Sequence, residues 1–250
     1  MKKLTVHNWT FIKGIIIAVK VIFVKSHKIP IPMNKIITLF TIFITTTLSA
    51  QNFQLHRDFE RDHFTTTFEL FKPDKFGNTF TFIDFDYNAK SGISQGYYEI
   101  ARVLKTEKMP VGLHVGYNGG LGTFEANGVQ GGYTINDAWI FGLNYAKGNA
   151  IWGFSTYAGY KAIKDSGKAN YQVTGTWYLN LFKDKLTFNG FADLWSEKGL
   201  SESTVFLAEP QLWYNLNKSF SLGGEVELSN NFAWATGFYV RPTLGIKWNI

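Results

Sequence analysis

The chain contains no cysteine, which excludes disulfide scaffolds, thiolate metal sites, a cysteine nucleophile and a lipidated N-terminal cysteine. Charge is scarce, at 18% of the 250 residues. Acidic residues are missing altogether from residues 1–50, which hold seven of the 25 Lys and Arg. From Gln51 onward 18 basic residues stand against 19 acidic ones, a formal charge of −1. The overall +6 therefore belongs to the leading segment, and a nucleic-acid polymer loses its only support as a partner. After Ala50 no apolar run approaches the roughly 20 residues of a spanning helix, and a mean hydropathy of −0.08 excludes a helical membrane bundle. Aromatics are plentiful instead, at 17%, together with 24 glycines, and both point to an all-β chain.

Met33-Asn34-Lys35, the apolar stretch Ile36 to Ile44 and the small residues ending in Leu48-Ser49-Ala50 have the layout of an export signal. A second apolar stretch, Gly14 to Val24, is interrupted by Lys20 and set apart by Pro30 and Pro32. Residues 1–32 thus read as a start-site extension, 33–50 as a signal peptide and 51–250 as the exported body. The competing reading, a membrane anchor or hairpin, needs longer apolar runs than either stretch supplies.

The body alternates with period two. Tyr171, Val173, Gly175, Trp177 and Leu179 interleave with Gln172, Thr174, Thr176 and Tyr178, and Phe238 to Ile250 alternates in the same way. Twelve strands are predicted, near 52–60, 63–72, 79–88, 95–105, 111–118, 137–147, 150–161, 168–180, 185–196, 203–215, 218–229 and 236–250. One face is aromatic and apolar from strand to strand, and charges thin out within strands. Tight turns near 147–149, 181–184 and 216–218 contrast with longer connections at 119–136, 162–168 and 196–203. That asymmetry belongs to outer-membrane barrels, although the short Arg61-Asp62 connection departs from it. An open sheet would leave unpaired edges in lipid, so the expectation is a closed antiparallel transmembrane β-barrel. Trp139, Trp177, Trp213, Trp248, Tyr145, Tyr171 and Tyr214 are expected to form interfacial girdles.

If the barrel exists, its polar phase must face inward, because a charge in mid-membrane costs about 2–4 kcal/mol. The lumen candidates are Asp58, Asp84, Asp86, Glu99, His114, Asp193, Glu225, Glu227, Arg241 and Lys247. Asp84/Asp86 and Glu225/Glu227 are same-face pairs that would set a transverse field against Arg241 and Lys247. Phe82, Phe191, Trp195 and Tyr239 are candidate stacking platforms. The plainer reading is that these charges neutralise one another and fill a small lumen. Phe80 and Phe82 share parity with Asp84 and Asp86, so either aromatics enter the lumen or a bulge intervenes. Pro210 suggests a bulge that leaves Glu209 ambiguous, and Arg102 falls out of phase with Glu99. Gly116 to Gly132 reads as a mobile outer loop. The three histidines of the body lack metal-ligand spacing, and no cofactor is implied.

The C-terminal Thr243-Leu244-Gly245-Ile246-Lys247-Trp248-Asn249-Ile250 resembles the signal by which the outer-membrane assembly machinery recognises its barrels, with Ile in place of the usual Phe. More broadly, residues 51–250 resemble an uncharacterised outer-membrane family related to nucleoside-specific (Tsx-type) channels. The resemblance is carried by Leu55-His56-Arg57-Asp58-Phe59, Glu69 to Gly77, Gly175-Thr176-Trp177-Tyr178 and Glu209 to Asn215. It implies a monomeric twelve-stranded barrel in the bacterial outer membrane, in contact with its lipid, that passes nucleosides or similar small solutes. The expected function is a passive, narrow channel for small polar solutes. Rival readings are a lipid-acting barrel enzyme built on His114 and a Ser facing lipid, a plugged structural or adhesion barrel, and a soluble periplasmic sandwich.

Overall fold

Successive side chains of a strand point to opposite faces, so a period-two sequence produces one apolar and one polar surface. The computed structural model describes residues 50–88, 92–106 and 108–250, and the export segments read at 1–32 and 33–50 lie outside it except for Ala50. The strands are β1 (Ala50–Asp58), β2 (His63–Asp74), β3 (Gly77–Asn88), β4 (Gly92–Leu104), β5 (Gly112–Ala126), β6 (Val129–Gly148) and β7 (Trp152–Ile163). They continue as β8 (Asn170–Leu181), β9 (Leu186–Ser196), β10 (Thr204–Ala208), β11 (Gln211–Asn215), β12 (Phe220–Asn230) and β13 (Phe238–Asn249). All pairings are antiparallel, and β1 joins β13 while β13 joins β12, so the sheet closes on itself.

β10 and β11 are two halves of one barrel strand, since both pair with β9 and with β12. The barrel is therefore twelve-stranded. The bulge expected at Pro210 does not form. Ala208 faces Ala192 and Gln211 faces Asn189, an equal advance on both chains, and the register against β12 holds equally. Glu209 donates its N–H to the Phe191 carbonyl and Pro210 accepts from the Val226 N–H, each at 3.0 Å, so only proline's own missing donor interrupts the ladder. Glu209 consequently shares the inward phase of Leu207 and Gln211.

The mobile loop expected over 116–132 is also absent, because β5 and β6 continue to a two-residue turn. Asn127 and Gly128 take φ of 53° and 74°, the left-handed pair that suits the twist of a hairpin. One extra residue enters β6 where Asn118 faces Ala138 but Gly120 faces Ile135. The connections at 164–169 and 197–203 stay longer than the turns near 149–151 and 182–185.

The outward phase carries Phe141, Leu143, Val173, Leu222, Leu244 and Ile246, all exposed on the bare barrel. Together they make a continuous apolar belt around the outside of the barrel. Trp139, Trp248, Tyr145, Tyr171 and Tyr214 lie on it, as expected of girdle residues, whereas Trp213 is 0% exposed and points inward. Its neighbours in phase, Gln211 and Asn215, face the lumen with it. Inside the barrel Trp195, Val205 and Leu207 form an apolar cluster, against which Phe191 and Phe232 pack.

Candidate functional site

Register fixes which side chains enter the lumen. Asp58 faces His63; Asp84 and Asp86 face Thr67 and Thr65; Glu99 faces Asn118; His114 faces Gly142. Asp193 faces Thr174, Glu225 faces Gln211, Glu227 faces Arg241 and Lys247 faces Ser221. The ten candidates therefore share the inward phase, though they do not form one cluster. No register shift separates Phe80 from Asp86 in the β2–β3 ladder. The shared parity is thus real, and Phe80 and Phe82 enter the lumen, with Phe82 5.9 Å from the Tyr97 ring. Arg102 lies on the outer surface and bonds Asp74 at 2.7 and 2.8 Å.

The wall formed by β11, β12, β13 and β1 is densely packed. Arg241 bonds Glu227 and stands over the Tyr239 ring at 4.5 Å. Arg61, from the short β1–β2 turn, reaches back to Asp58 at 2.6 Å and Glu227 at 3.0 Å. Burial pulls the Arg61 guanidinium downward, but the Glu227 and Asp58 carboxylates outweigh it and hold the group above its ordinary value. Below this cluster a chain of side chains runs along β1. His56 donates from Nε2 to Gln54 Oε1 at 2.9 Å, Gln54 to Asn52 at 2.8 Å, and Asn52 to Glu69 at 2.7 Å. Trp213 meets His56 edge-on at 5.5 Å and donates to Gln211, which in turn donates to Glu225 at 2.9 Å.

Of the transverse field expected between the acidic pairs and Arg241 and Lys247, the Glu227–Arg241 part is cancelled, because these two are neighbours on adjacent strands and neutralise each other. Trp195 is likewise no free platform: Phe232 meets it at 6.0 Å and Lys161 sits 4.5 Å above its ring.

The remaining arc carries small residues at several inward positions of β4 to β7: Ala101, Gly116, Ala138, Gly142 and Gly159. Asp84, Asp86, Tyr97, Glu99, Tyr157 and Asp193 point inward and are half-buried. Tyr97 donates to Glu99 at 2.6 Å, Thr67 to Asp84 at 2.5 Å and Thr65 to Asp86 at 2.6 Å. His114 is 4% exposed and stacks on Tyr157 at 3.8 Å. It faces the lumen, so it has no place in a dyad on the lipid side.

Residues 50–250 match the family described as Domain of unknown function (DUF5020). The chain belongs to that family. The DUF5020 barrel is similar to the solved NanC porin, with a TM-score of 0.53 at 10% identity over 80% of this chain and 100% of that one. The KdgM porin aligns at 0.46 and 12% identity over 80% and 99% of the two chains. The outer membrane protein Omp33 of Acinetobacter baumannii aligns at 0.39 and 13% over 82% and 98%. The NanC likeness bears on the fold alone. No curated protein matches the sequence.

Sequence reading of the DUF5020 barrel missed several lumen residues. Arg61 lies in a turn, where no periodicity assigns a face. Lys161 and Tyr157 belong to a strand whose other inward residue between them is Gly159, so its polar phase is faint. Glu209 was obscured by Pro210. Counting these, nine carboxylates (Asp58, Glu69, Asp84, Asp86, Glu99, Asp193, Glu209, Glu225 and Glu227) share the interior with the four cations Arg61, Lys161, Arg241 and Lys247.

Proposed function

We propose that the protein is an outer-membrane channel that passes small polar solutes by passive diffusion through a narrow lumen. One observation carries the reading: Asp84, Asp86, Tyr97, Glu99, Tyr157 and Asp193 point inward without being fully covered, inside a closed barrel whose outside is apolar. A twelve-stranded cylinder falls between small, filled barrels and large porins, which suits a constricted path. The ten lumen candidates named from sequence are the groups that solute passes, with Phe82 as an accessible ring. Nucleosides enter as candidate solutes through the sequence resemblance to nucleoside-specific channels. Insertion in lipid as a monomer and delivery by the barrel assembly machinery follow from the same reading, as does export by residues 33–50.

A second reading has its own support. Gln54, His56, Asp58, Trp213, Ser221, Glu227 and Ser229 of the β11–β13 and β1 wall are at most 3% exposed, and Phe232 packs on the Trp195 cluster, as in a plugged structural barrel. Planar-bilayer conductance of the refolded protein separates the two. Discrete openings, with nucleosides and sugars tested as blockers, support the channel; a silent bilayer despite verified insertion supports the plug.

A further inference from the structure

The charge inside the barrel is unequal in number and in how it is used. Arg61 and Arg241 are committed to Asp58 and Glu227. Lys161 and Lys247 lie over the indole rings of Trp195 and Trp213, at 4.5 and 4.2 Å. Glu69, Asp84, Asp86, Glu99, Asp193 and Glu225 form no ion pair with any Arg or Lys among the described residues; their partners are hydroxyls, amides and, for Asp86 and Glu225, a histidine at 3.6 and 3.8 Å.

A second observation is independent of this excess. Gln172 Oε1, Asn189 Oδ1 and Asp193 Oδ1, all on the inward phase of β8 and β9, are buried oxygens that accept no hydrogen bond. Gln172 is only 2% exposed, its amide nitrogen being held by Tyr157 at 2.9 Å and Thr174 at 3.1 Å. A buried acceptor without a donor has lost its water with nothing in return. Acceptors left bare beside uncompensated carboxylates call for a solute rich in donors and positive in charge.

We propose that the lumen is cation-selective and that its solutes carry ammonium or guanidinium groups, whose donors meet Glu99, Asp193 and the bare oxygens of β8 and β9. The proposal rests on the channel reading and narrows it. A polar path with fixed charges on low-dielectric walls concentrates the opposite ion.

The test is the reversal potential of the protein in a planar bilayer across a tenfold KCl gradient. The expected result is a preference for K⁺ over Cl⁻ of roughly tenfold, the lower end of the enrichment that charged clefts produce. In Glu99→Gln/Asp193→Asn the preference is expected to fall severalfold. Conductance in the unaltered protein with no preference, or with preference for Cl⁻, overturns the inference and leaves the channel standing. No conductance after verified insertion overturns both. The unaltered protein decides the sign whether or not the double variant folds.

Discussion

Lys247 on β13 holds its ammonium 4.2 Å from the centre of the Trp213 ring on β11, inside the barrel and across the intervening β12. A desolvated cation over an indole is worth about 2 kcal/mol, and Trp213 also donates to Gln211 at 2.9 Å. The two residues tie three strands together at the place where the chain ends meet. Trp213→Ala is therefore expected to cost about 3 kcal/mol, the lower limit for truncating a buried tryptophan, since water can enter the space left behind. Urea unfolding in lipid vesicles, followed by fluorescence of the remaining tryptophans, measures it. An unchanged midpoint would refute the pairing.

Arg61 closes one end of the packed wall from a turn of four residues. Removing its side chain leaves Asp58 and Glu227 facing the lumen with less cover. Arg61→Ala is expected to raise single-channel conductance up to about twofold, because the group that narrows that end is gone and negative charge is unmasked. Equal conductance in paired recordings would show that the constriction lies elsewhere.

Arg241 and Glu227 form a buried pair, and breaking such a pair on one side costs about 3 kcal/mol, whereas neutralising both sides costs much less. Arg241→Met is thus expected to destabilise the barrel more than Arg241→Met combined with Glu227→Gln. Equilibrium unfolding of the two variants compares them directly. Arg61 keeps Asp58 in both backgrounds but pairs with Glu227 only where that carboxylate remains, and additive effects would mean that the Arg241–Glu227 pair carries no coupling.

The barrel was legible in the sequence wherever the two faces differ in chemistry. Tyr171 to Leu179 and Phe238 to Ile250 alternate cleanly, and their strands fall within two residues of the expected limits. Legibility failed where glycine replaces the apolar row. Between Gly116 and Gly132 seven glycines interrupt the alternation, and the Asn127-Gly128 turn was lost among the others. Trp213 shows a different failure: its ring suits a girdle, and only its parity with Gln211 and Asn215, against Leu212 and Tyr214, sends it inward. Register decides such cases more reliably than residue type. The lumen's acidity was half legible, since Glu209 and Glu69 add to it without lying in a conspicuous pattern.

Gly190 stands opposite Pro210 on the outer face. A Cβ there would lie 2.4 Å from the Glu209 carbonyl oxygen and 2.9 Å from Pro210 Cα, with the Trp177 indole at 3.0 Å. Backbone atoms cannot yield as a flexible side chain does, so Gly190→Ala is expected to cost about 1–3 kcal/mol through overpacking. The heat-modifiable shift between folded and unfolded forms on gels reports the folded fraction after refolding. Full recovery would mean that β9 can move away from β10 and β11 at no cost.

The position of the membrane has its own test. Leu143 faces Ala158 midway along the stretch in which β6 pairs with β7, and its side chain is exposed on the bare barrel. If hydrocarbon wets this surface, Leu143→Arg places a guanidinium near the bilayer midplane at a cost of about 2–4 kcal/mol. In water the same change would be close to neutral, as surface substitutions usually are within about 0.5 kcal/mol. Trp248 lies on the same outer face but at the end of β13, where the cost of Trp248→Arg is expected to be smaller because arginine can reach the interface. Folding free energies in vesicles and in short-chain detergent separate the terms, since the penalty scales with the thickness of the apolar slab. A Leu143→Arg barrel as stable as the unaltered one in vesicles would mean that the apolar belt does not face lipid.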